Sequence, residues 1–121
     1  MGKISEAQTF LKAIGMPERH QASICALSLL ALAHIRPDDK WYQANNEWIR
    51  IHDIIQFVNA NYDVDYAENS RETFRKQAMQ HFRNAALIED NGKATNSPNY
   101  RSRLTQEAVH LLQNFHTDLW A

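Results

Sequence analysis

Between Asn69 and Arg83 the chain sets out Asn69, Ser70, Arg71, Thr73, Arg75, Lys76, Gln77, Gln80 and Arg83 at helical spacing. Arginine and lysine donate to phosphate oxygens, while lysine and glutamine reach the edges of guanine and adenine. Such residues on one exposed helix face suit double-stranded DNA: Thr73, Lys76, Gln77 and Gln80 for base edges, Ser70, Arg71 and Arg75 for phosphates. A second polar and basic group follows in Lys93, Asn96, Ser97, Asn99, Tyr100, Arg101 and Arg103, placed to touch the DNA backbone or minor groove.

Charge is distributed to match. From Asn69 to Arg103 seven cations (Arg71, Arg75, Lys76, Arg83, Lys93, Arg101 and Arg103) face three anions (Glu72, Glu89 and Asp90), a surplus of four in a chain whose formal charge is −1. A basic window on an otherwise acidic chain is the pattern of a polyanion-binding surface. The same pattern also suits an interaction module docking an acidic protein partner. A modified-base reader using an aromatic pocket near Trp41, Trp48 or Tyr100 is a third reading.

No catalytic constellation accompanies these residues. Asp38-Asp39-Lys40 superficially matches a fragment of metal-dependent nucleases, but no strand pattern or further acid converges with it on a divalent cation. The six histidines lack paired metal spacing, and a single cysteine argues against a structural zinc site. The expectation is a non-enzymatic chain with no catalytic residue, metal site or cofactor of its own.

The elements that must position the basic residues follow from periodicity. Asn69 reads as a helix cap with Glu72 completing a capping box, and Phe74, Ala78, His81, Phe82 and Ala85 form the inward stripe of a helix running to about Ala86. A preceding helix carries Ile51, Ile54, Ile55, Val58 and Tyr62, and a longer turn joins the two, giving a helix-turn-helix. After the basic helix, Leu87-Ile88-Glu89 reads as a strand, Asp90-Asn91-Gly92-Lys93 as a turn and Tyr100 to Leu104 as the returning strand, so a hairpin wing spans roughly 87–104. Thr105 caps a last helix with Ala108, Leu111, Leu112, Phe115 and Leu119 inward.

Upstream, Ser5-Glu6-Ala7-Gln8 reads as a capping box for a first helix ended by Gly15, and Pro17 opens a second, apolar nearly all round, that runs to about His34. The fold class is therefore mainly α: a five-helix winged helix-turn-helix domain with a small β-hairpin wing, one domain over residues 1–121. At 121 residues, 44% apolar and 22% charged, the chain can bury such a core without staples. Cys25, the lone cysteine, fits a reducing compartment, and the longest apolar run, from Ile24 to Ala33, falls short of the ~20 residues that span a bilayer. A cytoplasmic protein without a membrane partner is expected.

Four motifs in order carry a family likeness: Pro37-Asp38-Asp39-Lys40-Trp41, the Ile54-Ile55-x-Phe57 helix ending in Tyr62 with Tyr66 beyond it, the run Asn69 to Gln77, and Asn96-Ser97-Pro98. Over roughly Ala7 to Leu104 the chain resembles the N-terminal helix-turn-helix domain of the BsuBI/PstI family of type II restriction endonucleases. The resemblance implies a winged-helix module that recognises a DNA target ahead of a magnesium-dependent nuclease domain cutting a six-base palindrome. That nuclease half, with its Mg2+, is missing from this sequence. The implied partners are double-stranded DNA, a C-terminal nuclease domain if the chain is a fragment, and a second copy if a homodimer sits on the palindrome.

Overall fold

The computed structural model describes residues 2–17, 22–94 and 97–115. Its centre is the most apolar helix of the sequence, α2 (Ser23–Ala33), in which every residue from Ile24 to Ala33 is buried. Ser28, the one polar side chain in that run, returns its hydroxyl to the Ile24 carbonyl at 2.8 Å, so burial leaves it no unmet hydrogen bond. Pro17 lies outside this helix, which begins later than the sequence suggests; residues 18–21 lie outside the described residues.

Helix α1 (Lys3–Ala13) packs Ala7, Phe10 and Leu11 against α2. It starts before Ser5, with Gly2 at its cap and no side-chain cap bond, so the expected capping box lies inside the first turns of the helix. Glu6 instead pairs with Lys3 at 3.8 Å and accepts from the Trp41 indole at 2.7 Å. Trp41 is buried, with the Phe115 ring edge-on to it and 5.3 Å between ring centres, and Phe115 in turn meets Phe10.

Helix α3 (Ile51–Asn61) buries Ile54, Ile55 and Val58, as its period predicts. Its far end is fastened to the end of α2 by Tyr62, whose hydroxyl donates to the Ile35 carbonyl at 2.7 Å. The chain then makes the long turn expected before the basic helix. The Asn59 amide holds that turn, donating to the Tyr66 carbonyl and accepting from the Tyr66 N–H, both at 2.8 Å. Tyr66 also lays its ring edge-on to Phe74, 4.9 Å between centres.

Helix α4, residues 71–84, is continuous but not uniform: Arg71–Phe74 is α-helical, Arg75–Met79 is one π-helical turn, and Gln80–Asn84 is α-helical again. A short 3-10 turn, Glu68–Ser70, leads into it. Two antiparallel strands follow, β1 (Ile88–Asp90) and β2 (Ser102–Leu104), in register Ile88 with Leu104, Glu89 with Arg103 and Asp90 with Ser102. Ile49 adds an isolated antiparallel bridge to β2, exchanging both backbone hydrogen bonds with Ser102. Helix α5 (Gln106–Gln113) is capped by Thr105, whose hydroxyl accepts from the Ala108 N–H. The described residues thus form five helices and a hairpin, a winged helix-turn-helix.

Some inward positions differ from expectation. In α4 Met79 is buried while Ala85 is exposed, because the π turn rotates the inward stripe and the helix stops at Asn84. In the last helix and its end Ala108, Leu112 and Phe115 are buried as expected, but Val109 takes the inward place expected of Leu111, which is 41% exposed; Leu119 lies outside the described residues.

Candidate nucleic-acid interface

Helix α4 does not begin as its sequence suggests. Its cap is Ser70, already in helical geometry and without a side-chain cap bond, because the 3-10 turn delivers the chain pre-coiled. There is no extended cap residue for a capping box to close around. Asn69 is exposed within that turn, and Glu72 is ion-paired with Arg75 three residues on. The expected capping role is thereby replaced by one of orienting an arginine.

The π turn falls on the residues of most interest, Arg75 to Met79. In it the N–H of Gln80 reaches back five residues to the Arg75 carbonyl, a wider coil than the α form and one that recurs at functional sites. The Gln77 carbonyl within the turn accepts a hydrogen bond from the Cys25 thiol at 3.0 Å, tying α4 to α2. Burial pushes that thiol up to about 11, so it stays protonated and able to donate.

Outward from this anchored side, Thr73, Lys76, Gln77 and Gln80 are all exposed, and their side chains have no hydrogen bond or ion pair among the described residues. The arginines around them are held. Arg71 lies 3.8 Å from Glu68, Arg75 is paired with Glu72, Arg83 lies 3.2 Å from Asp90, and Arg103 lies 2.7 Å from Glu89. The side chains suited to base edges are free, while those suited to phosphates are oriented by carboxylates.

The wing is fastened to α4. Asp90 is ion-paired with Arg83 at 3.2 Å and accepts, at 3.4 Å, from the Tyr100 hydroxyl, and the Arg83 guanidinium sits 5.7 Å from the centre of the Tyr100 ring. Arg103 stacks over Trp48 at 4.2 Å. The described residues between the strands, 91–94 and 97–101, are drawn together by Asn91: its amide donates to the Asn99 carbonyl at 2.8 Å, and its oxygen accepts from the N–H groups of Arg101 and Lys93. Ser97 shapes the outer turn by accepting from the Asn99 N–H at 3.1 Å, and Arg101 donates to the carbonyls of Pro98 and Tyr100. Lys93 and Asn99 are exposed; Asn96 lies outside the described residues.

With this geometry in place the chain can be set beside known proteins. A family model described as the BsuBI/PstI restriction endonuclease HTH domain matches residues 1–121. The chain belongs to this family. Within it, the BsuBI/PstI domain described here is 34% identical to the type II restriction enzyme BsuBI of Bacillus subtilis over 98% of this chain and 39% of that one. It is 26% identical to the type II restriction enzyme AplI of Arthrospira platensis (strain NIES-39 / UTEX 3086 / IAM M-135), over 89% of this chain and 34% of that one. The structure of SdaI restriction endonuclease superposes with a TM-score of 0.90 at 28% identity, covering 97% of this chain and 38% of that chain. The sequence therefore spans roughly two fifths of the length of these relatives.

Two adjoining clefts separate α4 of this BsuBI/PstI domain from the wing, both lined by Ile51, Arg75 and Tyr100. The narrower, about 340 Å3, also draws on Gln80 and Arg83; the wider, about 700 Å3, draws on Asn69, Arg71 and Ser97. Of the sequence-predicted residues, Asn69, Arg71, Arg75, Gln80, Arg83, Ser97 and Tyr100 come together on this depression, whereas Ser70 at the cap of α4, Thr73, Lys76 and Gln77 within it, and Lys93, Asn99, Arg101 and Arg103 of the wing lie outside its lining. Residues that periodicity and composition missed are Arg50 and His52 on the wall of the wider cleft, Asn84 in the narrower one, and Asp90 and Asn91 as fasteners of the wing. Asp90-Asn91-Gly92 is visible as a turn, but nothing local says which side chains close it. Among the described residues no three His, Cys, Asp or Glu side chains gather to hold a metal, and no helix is long and apolar enough to cross a membrane.

Proposed function

We propose that this domain binds duplex DNA and contributes to target-site recognition in a type II restriction endonuclease of the BsuBI/PstI kind. The observation that carries the reading is the division of labour on α4: Thr73, Lys76, Gln77 and Gln80 are exposed and unengaged, on a helix fixed from behind and beside a wing tied to it. A helix presenting free donors and acceptors on a rigid support is what base-edge readout in the major groove needs. In this reading Lys76 donates to guanine, Gln77 or Gln80 pairs with adenine, and Asn69, Ser70, Arg71, Arg75 and Arg83 hold phosphates. Lys93, Asn96, Ser97, Asn99, Tyr100, Arg101 and Arg103 of the wing follow the backbone. The domain's role is recognition, exercised in the cytoplasm. Cleavage and its Mg2+ belong to a C-terminal nuclease domain, and a second copy supplies the other half of a palindromic site.

Fluorescence anisotropy of labelled duplexes at several salt concentrations tests this. Affinity should fall with salt at a log–log slope of about −0.9 per phosphate neutralised. Lys76→Ala with Gln80→Ala should cost about 1–3 kcal/mol on the preferred duplex and little on others. An isolated module is expected to bind at about 10⁻⁴ to 10⁻⁶ M. Absence of binding at low salt, or binding indifferent to salt, would sink the reading and turn attention to an acidic protein partner.

A further inference from the structure

The wider cleft is bordered by more basic side chains than α4 supplies. Arg50 and His52, at the start of α3, face Arg71 and Arg75 of α4 across it, with Pro98 and Tyr100 of the wing loop at its edge. Each of the four basic groups already has a carboxylate. Arg50 makes a two-pronged pair with Asp53, at 3.0 and 3.2 Å; His52 is hydrogen-bonded to Glu68; Arg71 reaches the same Glu68 oxygen at 3.8 Å; Arg75 is paired with Glu72. The Arg50 guanidinium holds the Asp53 carboxyl below the ordinary carboxylate range, which marks that pair as formed with both partners charged.

From this arrangement we infer that the cleft is a binding site for a backbone phosphate of duplex DNA, and that Glu68 and Glu72 are resident counter-ions which the phosphate displaces. The inference rests on the duplex-binding reading above and adds α3 to the contact surface. Two guanidinium forks from different helices, with a third beside them, match the several acceptor oxygens of a phosphodiester better than the single carboxylates they now hold. The carboxylates can leave at little cost. Glu68 and Glu72 have side chains 48% and 61% exposed, and exposed ion pairs of this kind are weak and screened by salt. Glu68 also sits on a three-residue 3-10 turn, where its side chain can swing to solvent without disturbing a helix.

Such resident anions damp attraction to any phosphate while leaving the base-reading side chains untouched, which favours selectivity over raw affinity. The chemistry makes opposite predictions for the two signs of charge. Glu68→Gln, which keeps a hydrogen-bond acceptor for His52, should tighten duplex binding at 50 mM salt about threefold to tenfold and make the salt slope steeper. Arg50→Gln should weaken binding by a similar factor and reduce the slope by about one, although Arg50 lies on neither the reading helix nor the wing. Asp53→Asn, which frees Arg50 without removing it, should tighten binding and guards against a folding defect in the Arg50 variant. The preference between two duplex sequences should stay constant in all three. Inorganic phosphate, matched for ionic strength with chloride, should compete no better than chloride if the site takes a phosphate held in a duplex; strong competition would overturn that assignment in favour of a free anion. A wild-type chain that binds duplex while Glu68→Gln and Asp53→Asn do not tighten it overturns the inference and leaves the duplex reading standing. A wild-type chain that binds no duplex overturns both.

Discussion

Ala86 holds a left-handed conformation, φ 61°, where α4 gives way to β1. The N–H of Leu87 reaches the Phe82 carbonyl at 2.9 Å and that of Ala86 reaches Arg83 at 3.0 Å, the paired bonds of a Schellman ending. The same pairing closes α1 at Gly15, φ 88°, and α2 at His34, φ 58°. Of these three endings only Gly15 is legible in the sequence, since glycine alone advertises a left-handed residue; at His34 and Ala86 packing on either side imposes the geometry against the side chain's preference. Ala86 is exposed, so removing its Cβ sacrifices little packing. The left-handed form costs a non-glycine residue roughly 1–2 kcal/mol, and glycine's extra freedom in the unfolded chain returns roughly half of that. Ala86→Gly is therefore expected to raise the unfolding free energy by about 0.5–1 kcal/mol, read as a shift in the urea midpoint at constant slope. A lower midpoint would show that the turn is not strained.

The wing and α4 differ in how far their form can be read from residue types. Strand positions and the Thr105 cap are visible because alternation and capping are local: Ser102–Leu104 sits within the expected strand, and Ile88–Asp90 is displaced by one residue from the expected Leu87 to Glu89. Asn91-Gly92, however, does not make a two-residue hairpin turn. The side chain of Asn91 spans a longer loop by bonding to residues eight and ten positions on, a contact that no periodicity encodes. In α4 the inward stripe assumes 3.6 residues per turn, and the π turn breaks that assumption between Arg75 and Met79; its partner, the Cys25 thiol, lies 52 residues away in sequence. The candidate base-reading residues are legible all the same, because exposure of polar side chains survives a small rotation of the helix. Asn91→Ala should loosen the wing alone. We expect hydrogen-exchange protection at the Arg101 amide to fall by about fivefold, on the scale of one lost hydrogen bond of roughly 1 kcal/mol, with the α2 amides unchanged. Duplex affinity should drop severalfold through the freed wing. Protection unchanged at Arg101 would mean that the strand register, not Asn91, holds the loop.

Across the whole molecule, the helices that support α4 are joined by a buried thiol and a half-buried phenol kept neutral. Cys25 links α2 to the π turn of α4, and Tyr62 links the end of α3 to the end of α2. Both are donors whose ionisation is opposed by burial: the Cys25 thiol is pushed from 9.0 up to about 11, and the Tyr62 hydroxyl is raised above its ordinary 10.0 by burial, with Asp39 and Glu6 adding to the shift. An unfolded chain releases the cysteine proton near pH 9, whereas the folded chain holds it to about pH 11. The unfolded state therefore binds fewer protons in that interval, and stability, fully present below pH 9, declines as pH rises through it. Tyr62 extends the decline from about pH 10 upward. The thiol is expected to account for roughly 1–2 kcal/mol of the loss, less than its full shift would give, since solvent relaxation discounts it. Cys25→Ser keeps a donor toward Gln77 but does not titrate in this range. Urea titrations at pH 7, 9, 10 and 11 should show the variant less stable than wild type at pH 7, with the gap narrowing between pH 9 and 11. Because the folded chain keeps the Cys25 proton, and with it the bond that fixes the turn carrying Arg75 to Met79, duplex selectivity in the wild type should hold across the same interval while stability falls. A gap independent of pH would mean that the Cys25 proton does not couple α2 to the reading helix.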